Sequence, residues 1–503
     1  MSMPAPADST MTLGRLFEQD APEALRDMPV QDLALDSRNV RPGSLFLAVA
    51  GTRGHGLDYL DGAVAAGAAI VVWEPEKGRA RPRLAAGISG FPVPGLGDRL
   101  GELAGRFFGD PATRMGVLGV TGTNGKTTVT WLLAGALECA GEACGLIGTL
   151  GCGRPDDLRP SGLTTPDVVE VQRTLAGLRN AGARWAAMEV SSHALDQRRV
   201  AGVRFRAAAF TNLSREHLDY HGTLQRYGDA KAKLFQTPGL STAVVNAGDA
   251  FGRALPARVP ADVDLITVGP ADIPALARGR RLSLRRVDAR PDGLSLDIGG
   301  SWGPLQLESP LLGRFNADNL LLALGILLGC GLEPGKATRC LARVPAPPGR
   351  MESFGGEGRP LVVVDYAHTP DALAQALAAA RVHCRGRLWC VMGCGGDRDP
   401  GKRPEMGRIA EELADIVVIT DDNPRGENPA EIVAAIRSGL ARPAQARIEH
   451  DRAEAIRLAV RQAARADVVL VAGKGHEDYQ IVGSVRRPFS DQAVVLQGLE
   501  ERP

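Results

Sequence analysis

A chain of 503 residues is too long for a single hydrophobic core, and at roughly 100–200 residues per domain three domains are expected. Its 59 basic and 58 acidic side chains leave a formal charge of +1, without the basic excess that a general nucleic-acid or membrane-surface binder needs. Hydrophobic residues make up 44% and aromatics only 4%, so aliphatic cores are expected, as in α/β proteins whose parallel strands are buried on both faces. The 8 cysteines are scattered with no Cys-x-x-Cys pair and read as reduced cytosolic thiols packed as small apolar groups. The amino terminus lacks a basic segment followed by an apolar run, so no signal peptide is expected. No stretch approaches the ~20 apolar residues that span a bilayer. These features predict a soluble cytoplasmic protein with neither a nucleic-acid partner nor membrane insertion; a monomer is expected, though composition does not set the oligomeric state.

In chain order, Ser44–Val49 and Ala69–Trp73 read as strands and Arg99–Phe108 has helical spacing. Gly109-Asp110-Pro111 breaks that helix and marks a first linker, bounding a segment 1–110. The next run, Val117 to Thr128, is the most informative in the chain. An apolar strand feeds the turn Gly122-Thr123-Asn124-Gly125, which opens a helix near Lys126. Such a turn aims backbone N–H groups and a helix N-terminus at phosphate oxygens. Lys126 would reach the terminal phosphates and the Thr127 hydroxyl, followed by Thr128, would ligate Mg²⁺. The common phosphate-loop pattern asks for Gly where Val120 stands, so Gly-x-x-Gly-Lys-Thr is a shorter variant. A tight glycine turn between strand and helix is the alternative, although such a turn has no need of Lys and two Thr.

Further along, Met188–Val190, Ala207–Phe210 and Thr242–Asn246 look like buried strands, each after a helix-compatible segment, which implies a parallel sheet. Glu189 ends the first of them and is either a Mg²⁺ ligand or a solvated strand-end carboxylate. His217, in the polar loop after Phe210, is either a metal ligand or a packing group. Tyr227–Phe235 reads as a helix whose Lys231 and Lys233 look, by themselves, like surface lysines. Residues 281–308 alternate around the turn Pro291-Asp292-Gly293 and predict an antiparallel insertion, followed by a helix over Ala317–Leu328. A second linker, Pro345–Gly349, separates 111–345 from 346–503. In the last segment Leu361–Asp365, Leu388–Met392, Ile416–Thr420 and Val468–Ala472 read as strands. Each ends in a polar or glycine-rich loop carrying His, Asp, Arg or Lys. Open α/β sheets bind ligands beyond the carboxyl ends of their strands, so a zwitterionic or anionic ligand is expected there.

Together these pieces resemble the Mur ligase superfamily, ATP-dependent enzymes that add amino acids to a UDP-N-acetylmuramoyl peptide. The resemblance implies three α/β domains: a smaller UDP-binding domain over 1–110, a central phosphate-loop ATPase over 111–345 with a mostly parallel sheet, and a Rossmann-like amino-acid domain over 346–503. It implies that Gly122 to Thr128 bind ATP, with Asn316, Asn319, Arg350, Asp365 and His368 as further nucleotide contacts. It makes Lys126, Glu189, His217 and Lys231 the catalytic set. Thr127, Glu189, His217 and Lys231 would hold Mg²⁺, the lysine as a carbamate.

The likeness is strongest to the branch that adds meso-diaminopimelate to UDP-N-acetylmuramoyl-L-alanyl-D-glutamate through an acyl phosphate. Ser37, within Asp36-Ser37-Arg38, resembles its UDP-binding segment, and Thr164, Thr165, Ser191, Gln197 and Arg199 its muramoyl-dipeptide site. Asp422-Asn423-Pro424-Arg425, with Arg398, Gly473 and Glu477, resembles its diaminopimelate site. Arg425 has a physical reason to be there: a guanidinium pairs bidentately with the distal carboxylate that lysine lacks. Two positions depart from the family pattern, Glu216 for Asp and His55 for Asp, the latter bearing on the UDP contacts. Another carboxylate–amine ligase, such as a folylpolyglutamate synthase, is the runner-up. A catalytically dead muropeptide sensor is the alternative from another class, and near-neutral charge disfavours a helicase.

Overall fold

The computed structural model describes residues 11–51, 54–274, 278–356 and 358–502. Thr52 and Arg53 of the Gly51–Gly56 segment lie outside them. Among the described residues, the strands form three main sheets and one hairpin.

The first sheet is all parallel, in the order β1 (Asp32–Ala34), β2 (Ser44–Ala48), β3 (Ile70–Trp73), β4 (Ser89–Pro92). The helix Leu96–Phe107 closes it on one side and starts three residues before the expected Arg99. The chain then turns through Gly109 and Asp110, both with positive φ, into the single turn Pro111–Thr113.

The second sheet contains β5 (Gly116–Thr121), β6 (Cys144–Gly148), β7 (Gly151–Arg154), β8 (Asp157–Arg159), β9 (Trp185–Glu189), β10 (Phe205–Phe210), β11 (Thr242–Asn246), β12 (Asp264–Pro270), β13 (Arg280–Arg290), β14 (Gly293–Gly300) and β15 (Leu305–Ser309). Their order is β15-β14-β13-β12-β11-β10-β5-β9-β6-β7-β8. From β13 to β6 every pairing is parallel, and both edges are antiparallel. β5 lies between β9 and β10, where the chain stops adding strands on one side and starts on the other. Such a switch point opens a crevice at the strands' carboxyl ends.

Apolar side chains cover both faces of this sheet. The helices Lys126–Cys139 and Asn316–Gly329 supply Val129, Leu132, Leu133 and Leu320 to Leu328 to one face. Val171, Leu175, Phe205 and Phe235 fill the other. Burial on both faces explains why these strands read as apolar runs rather than alternating ones.

The antiparallel region near residue 290 differs from expectation in one respect. β14 is antiparallel to both β13 and β15, but β13 pairs in parallel with β12, so the unit extends the main sheet instead of forming a separate insertion. The alternation of 280–290 suits either pairing, and only the direction in which the chain returns to the sheet edge decides it.

The third sheet runs β16 (Glu352–Gly355), β17 (Leu361–Asp365), β21 (Val468–Ala472), β18 (Leu388–Met392), β19 (Ile416–Ile419), β20 (Arg447–Ile448). It is parallel except for β16. The hairpin β22 (Tyr479–Val482) and β23 (Val485–Pro488) lies beyond the end of β21.

The three sheets are joined unequally. Val168, Val169 and Ala176 of the helix Val168–Asn180 belong to the same core as Leu33, Leu45 and Leu47 of the first sheet. Arg173 on that helix bonds Asp32 Oδ1 at 2.5 Å and the Leu33 carbonyl at 2.7 Å. The third sheet is reached through 345–349 and touches the second where Gly313 N donates to His383 Nε2 at 3.0 Å. All eight cysteines are unpaired; Cys144, Cys340, Cys390 and Cys394 are buried as small apolar groups, whereas Cys139 is exposed. No helix among the described residues is long and apolar enough to cross a membrane.

Candidate active site

The loop after β5 and the helix Lys126–Cys139 form a cradle whose shape depends on two glycines. Gly122 has φ +149, and a Cβ there would sit 1.8 Å from Thr211 Oγ1. Gly125, at φ +84, caps the helix, and a Cβ would fall 2.4 Å from Asn319 Oδ1. Both positions combine a backbone that L-residues avoid with a contact that leaves no room. The loop is fastened to the end of β10: Thr123 N donates to the Asn212 carbonyl at 2.8 Å, Asn124 N to Asn212 Oδ1 at 3.0 Å, and Thr211 Oγ1 to the Asn124 carbonyl at 2.6 Å.

Lys126 Nζ donates to the carbonyls of Gly122 (2.9 Å) and Thr123 (2.7 Å). Lys231, which is only 1% exposed, reaches the same Gly122 oxygen at 2.7 Å. Two ammonium groups thus converge on one carbonyl, an arrangement that an anionic ligand would relieve. Burial, and then the charge of Lys126, pushes the Lys231 ammonium well below the usual lysine range. The Lys231 Nζ lies 4.2 Å from the Tyr227 ring centroid, and the His217 ring stands 6.0 Å from that ring and 4.8 Å from His193. His217 takes a left-handed backbone, φ +56, at the start of the short helix Leu218–His221.

Glu189 at the end of β9 is buried. Its Oε1 accepts from Thr127 Oγ1 at 3.0 Å and Thr149 N at 2.8 Å, and its Oε2 from Thr149 Oγ1 at 3.2 Å. A carboxylate and a hydroxyl oxygen in contact at the mouth of a phosphate loop are hard donors that fit Mg²⁺. No group of three His, Cys, Asp or Glu side chains among the described residues is arranged to hold a metal; of the four expected ligands, Thr127 and Glu189 are in contact.

The residues expected to hold the muramoyl dipeptide lie together beside Glu189. Thr165 Oγ1 donates to the Glu189 carbonyl at 2.8 Å and accepts from Ser191 N at 3.1 Å. Thr164 Oγ1 is 3.2 Å from Thr149 Oγ1. Arg199 bonds the Thr165 carbonyl at 3.1 Å and Gln197 Oε1 at 3.0 Å. Ser37 is apart from this cluster, in the turn Ser37–Asn39 of the first sheet, whose N-cap Asp36 accepts from Arg38 N at 2.9 Å.

Asn316 and Asn319 face the phosphate loop, both buried, with Asn319 Nδ2 donating to Asn316 Oδ1 at 2.8 Å. Across the linker, Arg350 lies 4.9 Å from the Tyr366 ring centroid with its buried Nε unpartnered. Asp365 Oδ2 accepts from Met351 N at 2.8 Å, and His368 is exposed, its Nδ1 2.9 Å from the Tyr366 carbonyl.

At the carboxyl ends of the third sheet, Asp422, Asn423 and Pro424 are buried. Arg425 has φ +51; its N donates to the Ile481 carbonyl (3.1 Å), its carbonyl accepts from Gly483 N (2.8 Å), and its Nη1 donates to the Gly396 carbonyl (2.7 Å). A non-glycine residue persists in this conformation only where its surroundings fix it, as the β22–β23 hairpin does here, and such residues cluster at functional sites. Asn423 Nδ2 donates to Glu477 Oε2 at 2.9 Å. A Cβ on Gly473 would meet Asp422 Oδ2 at 2.6 Å. Arg398 stands exposed on the loop after β18.

Three Mur ligase domains match the chain in sequence: the family's catalytic domain over residues 29–108, its middle domain over 120–327 and its glutamate ligase domain over 349–475. The UDP-N-acetylmuramoyl-L-alanyl-D-glutamate–2,6-diaminopimelate ligase of Alkalilimnicola ehrlichii is 52% identical over 94% of this chain and 96% of its own length. The ligase of the same name from Pseudomonas aeruginosa is 51% identical over 96% of each. The chain belongs to the Mur ligase family. A solved structure of a ligase with that name superposes with a TM-score of 0.73 at 35% identity, covering 98% of this Mur ligase and 99% of the other chain.

Some residues of this Mur ligase's site escaped the sequence reading. Thr149 holds both oxygens of Glu189, and its only signal was its place one residue past a strand of the parallel sheet. Tyr227 packs between Lys231 and His217 and accepts from Thr123 Oγ1 at 3.3 Å. His55, the departure expected to disturb the UDP segment, is buried and does a structural task. Its Nδ1 accepts from Leu57 N at 3.1 Å, its N donates to Asp58 Oδ2 at 2.9 Å, and its Nε2 lies 3.1 Å from the Glu74 carbonyl. That is an N-cap, a role Asp also fills.

Proposed function

We propose that this Mur ligase joins meso-diaminopimelate to UDP-N-acetylmuramoyl-L-alanyl-D-glutamate with ATP, releasing ADP and phosphate, in cytoplasmic peptidoglycan precursor synthesis. The observation that carries the reading is the cluster at the carboxyl ends of β18, β19 and β21. There Arg425 Nη1 is held on the Gly396 carbonyl, Asn423 is bonded to Glu477, and Asp422 lies against Gly473, a guanidinium and two carboxylates that suit a ligand end bearing both carboxylate and ammonium. The names of the relatives at 52% and 51% identity support the same substrate pair.

In this reading residues 1–110 bind UDP through Ser37, 111–345 bind ATP, and 346–503 bind the amino acid, in a chain acting as a monomer. The loop Gly122 to Thr128 cradles the phosphates, with Asn316, Asn319, Arg350, Asp365 and His368 around the rest of the nucleotide. Thr164, Thr165, Ser191, Gln197 and Arg199 hold the muramoyl dipeptide with its D-glutamate towards the γ-phosphate. The D-glutamate γ-carboxylate attacks that phosphate to form an acyl phosphate and ADP, and Lys126 balances the charge that develops. The diaminopimelate amine then attacks the acyl carbon, and phosphate leaves. Arg398 and Arg425, with Asp422, Asn423, Pro424, Gly473 and Glu477, orient that amine. Thr127, Glu189, His217 and the carbamate of Lys231 would hold Mg²⁺. The ion, when bound, screens phosphate charge and aligns the reacting oxygens.

Phosphate release measured with Mg-ATP, the UDP-linked dipeptide and, in parallel, meso-diaminopimelate, L-lysine or no amino acid tests the proposal. Release confined to diaminopimelate, with a tripeptide product by mass, is expected. Release with lysine would retain the ligase and overturn the amino-acid assignment, and no release with any of them would favour a folate-type ligase or a binding-only protein. Arg425→Ala is expected to raise KM for diaminopimelate by at least about tenfold, because a charge-assisted pair to the distal carboxylate is lost. Arg425→Lys should recover little of it, since an ammonium lacks the planar fork. An unchanged KM in steady-state assays would dismiss that role.

A further inference from the structure

The loop between β21 and β22 contains a lysine that none of the assignments above uses. Lys474 is fully buried, at 0% exposure. An ammonium withdrawn from water is costly unless its donors are matched, so its partners disclose what it is for. Its Nζ donates to Asn423 Oδ1 at 3.1 Å and to Glu477 Oε2 at 3.1 Å, and lies 4.0 Å from Asp422 Oδ1. The Tyr479 ring is 5.5 Å away, closing the remaining side.

These contacts fix two orientations. Asn423 Oδ1 accepts from both Lys474 and Ile481 N (2.9 Å), which forces Nδ2 towards Glu477. Glu477 Oε2 takes the Asn423 amide and the Lys474 ammonium together, while Oε1 accepts no hydrogen bond among the described residues. One carboxylate oxygen is pinned and the other is available. Without the lysine, Asp422 and Glu477 would lose the cation they share, and Glu477 Oε2 would be held by the Asn423 amide alone, itself oriented by Ile481 N.

We propose that Lys474 is a positioning residue for the amino-acid substrate. It touches no reacting atom; it holds Asn423 and Glu477 so that Glu477 Oε1 meets the ammonium at the distal end of diaminopimelate. The inference rests on the placement of diaminopimelate proposed above.

Three variants of the full chain test it: Lys474→Met, Glu477→Gln and the double substitution, with separate KM values for diaminopimelate, ATP and the UDP-linked dipeptide. Lys474→Met is expected to raise KM for diaminopimelate by about tenfold or more, with the other two KM values within about twofold of wild type. Because the lysine acts through Glu477, the double variant should be no more than about twofold worse than the poorer single variant. A diaminopimelate KM that Lys474→Met leaves unchanged, a rise shared by all three substrates, or effects that multiply fully would each overturn the inference. If Glu477→Gln leaves the diaminopimelate KM unchanged, the placement itself fails and the inference with it. Should Lys474→Met not fold by thermal melting, Lys474→Gln, which keeps an uncharged donor at the same place, is read by the same criteria.

Discussion

Lys126→Ala is expected to lower kcat by about a thousandfold or more while the UDP-linked dipeptide still binds, since charge stabilisation at a transferring phosphoryl group is of that order. Lys126 begins the helix Lys126–Cys139, and its ammonium is folded back over the Gly122 and Thr123 carbonyls. From there it can follow charge as it moves onto the phosphate oxygens. Truncation also removes the two bonds from this ammonium to the loop carbonyls, but Thr211 and Asn212 still fasten the loop to the end of β10, so the cradle should stay folded. Phosphate release together with calorimetric titration of the dipeptide separates the two effects. Activity within a few-fold of wild type would remove Lys126 from the phosphate site.

Lys231→Ala should be nearly inactive, and acetate or formate should restore part of the activity. Carbamylation joins CO₂ to a neutral amine and releases a proton, so it needs a lysine that is deprotonated near neutral pH. Burial and the neighbouring Lys126 charge both disfavour the ammonium of Lys231, which lowers its pKa and raises the fraction of neutral amine at a given pH. A carbamate would present two oxygens in the place where the unmodified side chain bonds the Gly122 carbonyl. Small carboxylates can occupy the same space in the truncated variant. Incorporation of ¹³C-labelled CO₂, followed by NMR, detects the carbamate directly. Full activity of Lys231→Ala without rescue, or the absence of the carbon signal in active wild-type protein, would refute the modification.

The contrast between these two lysines illustrates what was legible in the chain. The place of Lys126 at a helix start could be read because its signal is local: a strand, two glycines and the helix follow one another directly. Lys231 could not, because the Tyr227–Phe235 segment has the pattern of a surface helix. Its burial comes from a contact with Gly122, 109 positions earlier. The four parallel strands of the last segment were visible as apolar runs between polar loops, and all four are observed. The parallel pairing of β13 was not, since alternation records which face is buried and not which way the neighbouring strand runs. Lys474 lay in plain view within a loop already marked as functional. Its task depends on side chains from two strand ends that only the folded sheet brings together.

The helix Val168–Asn180 forms part of the hydrophobic wall of the first sheet, with Arg173 anchored to Asp32 and Leu33. A cut near residue 110 would therefore separate sequence without separating structure. It would take Val168, Val169 and Ala176 out of the core they share with Leu33, Leu45 and Leu47. The amino-terminal region is consequently a poor cassette for chimeras between relatives unless that helix travels with it. The carboxyl-terminal region, joined through a short proline-rich segment, is the natural unit of recombination. Under the proposed placement of the amino-acid site, exchange of that region between relatives should carry amino-acid choice with it.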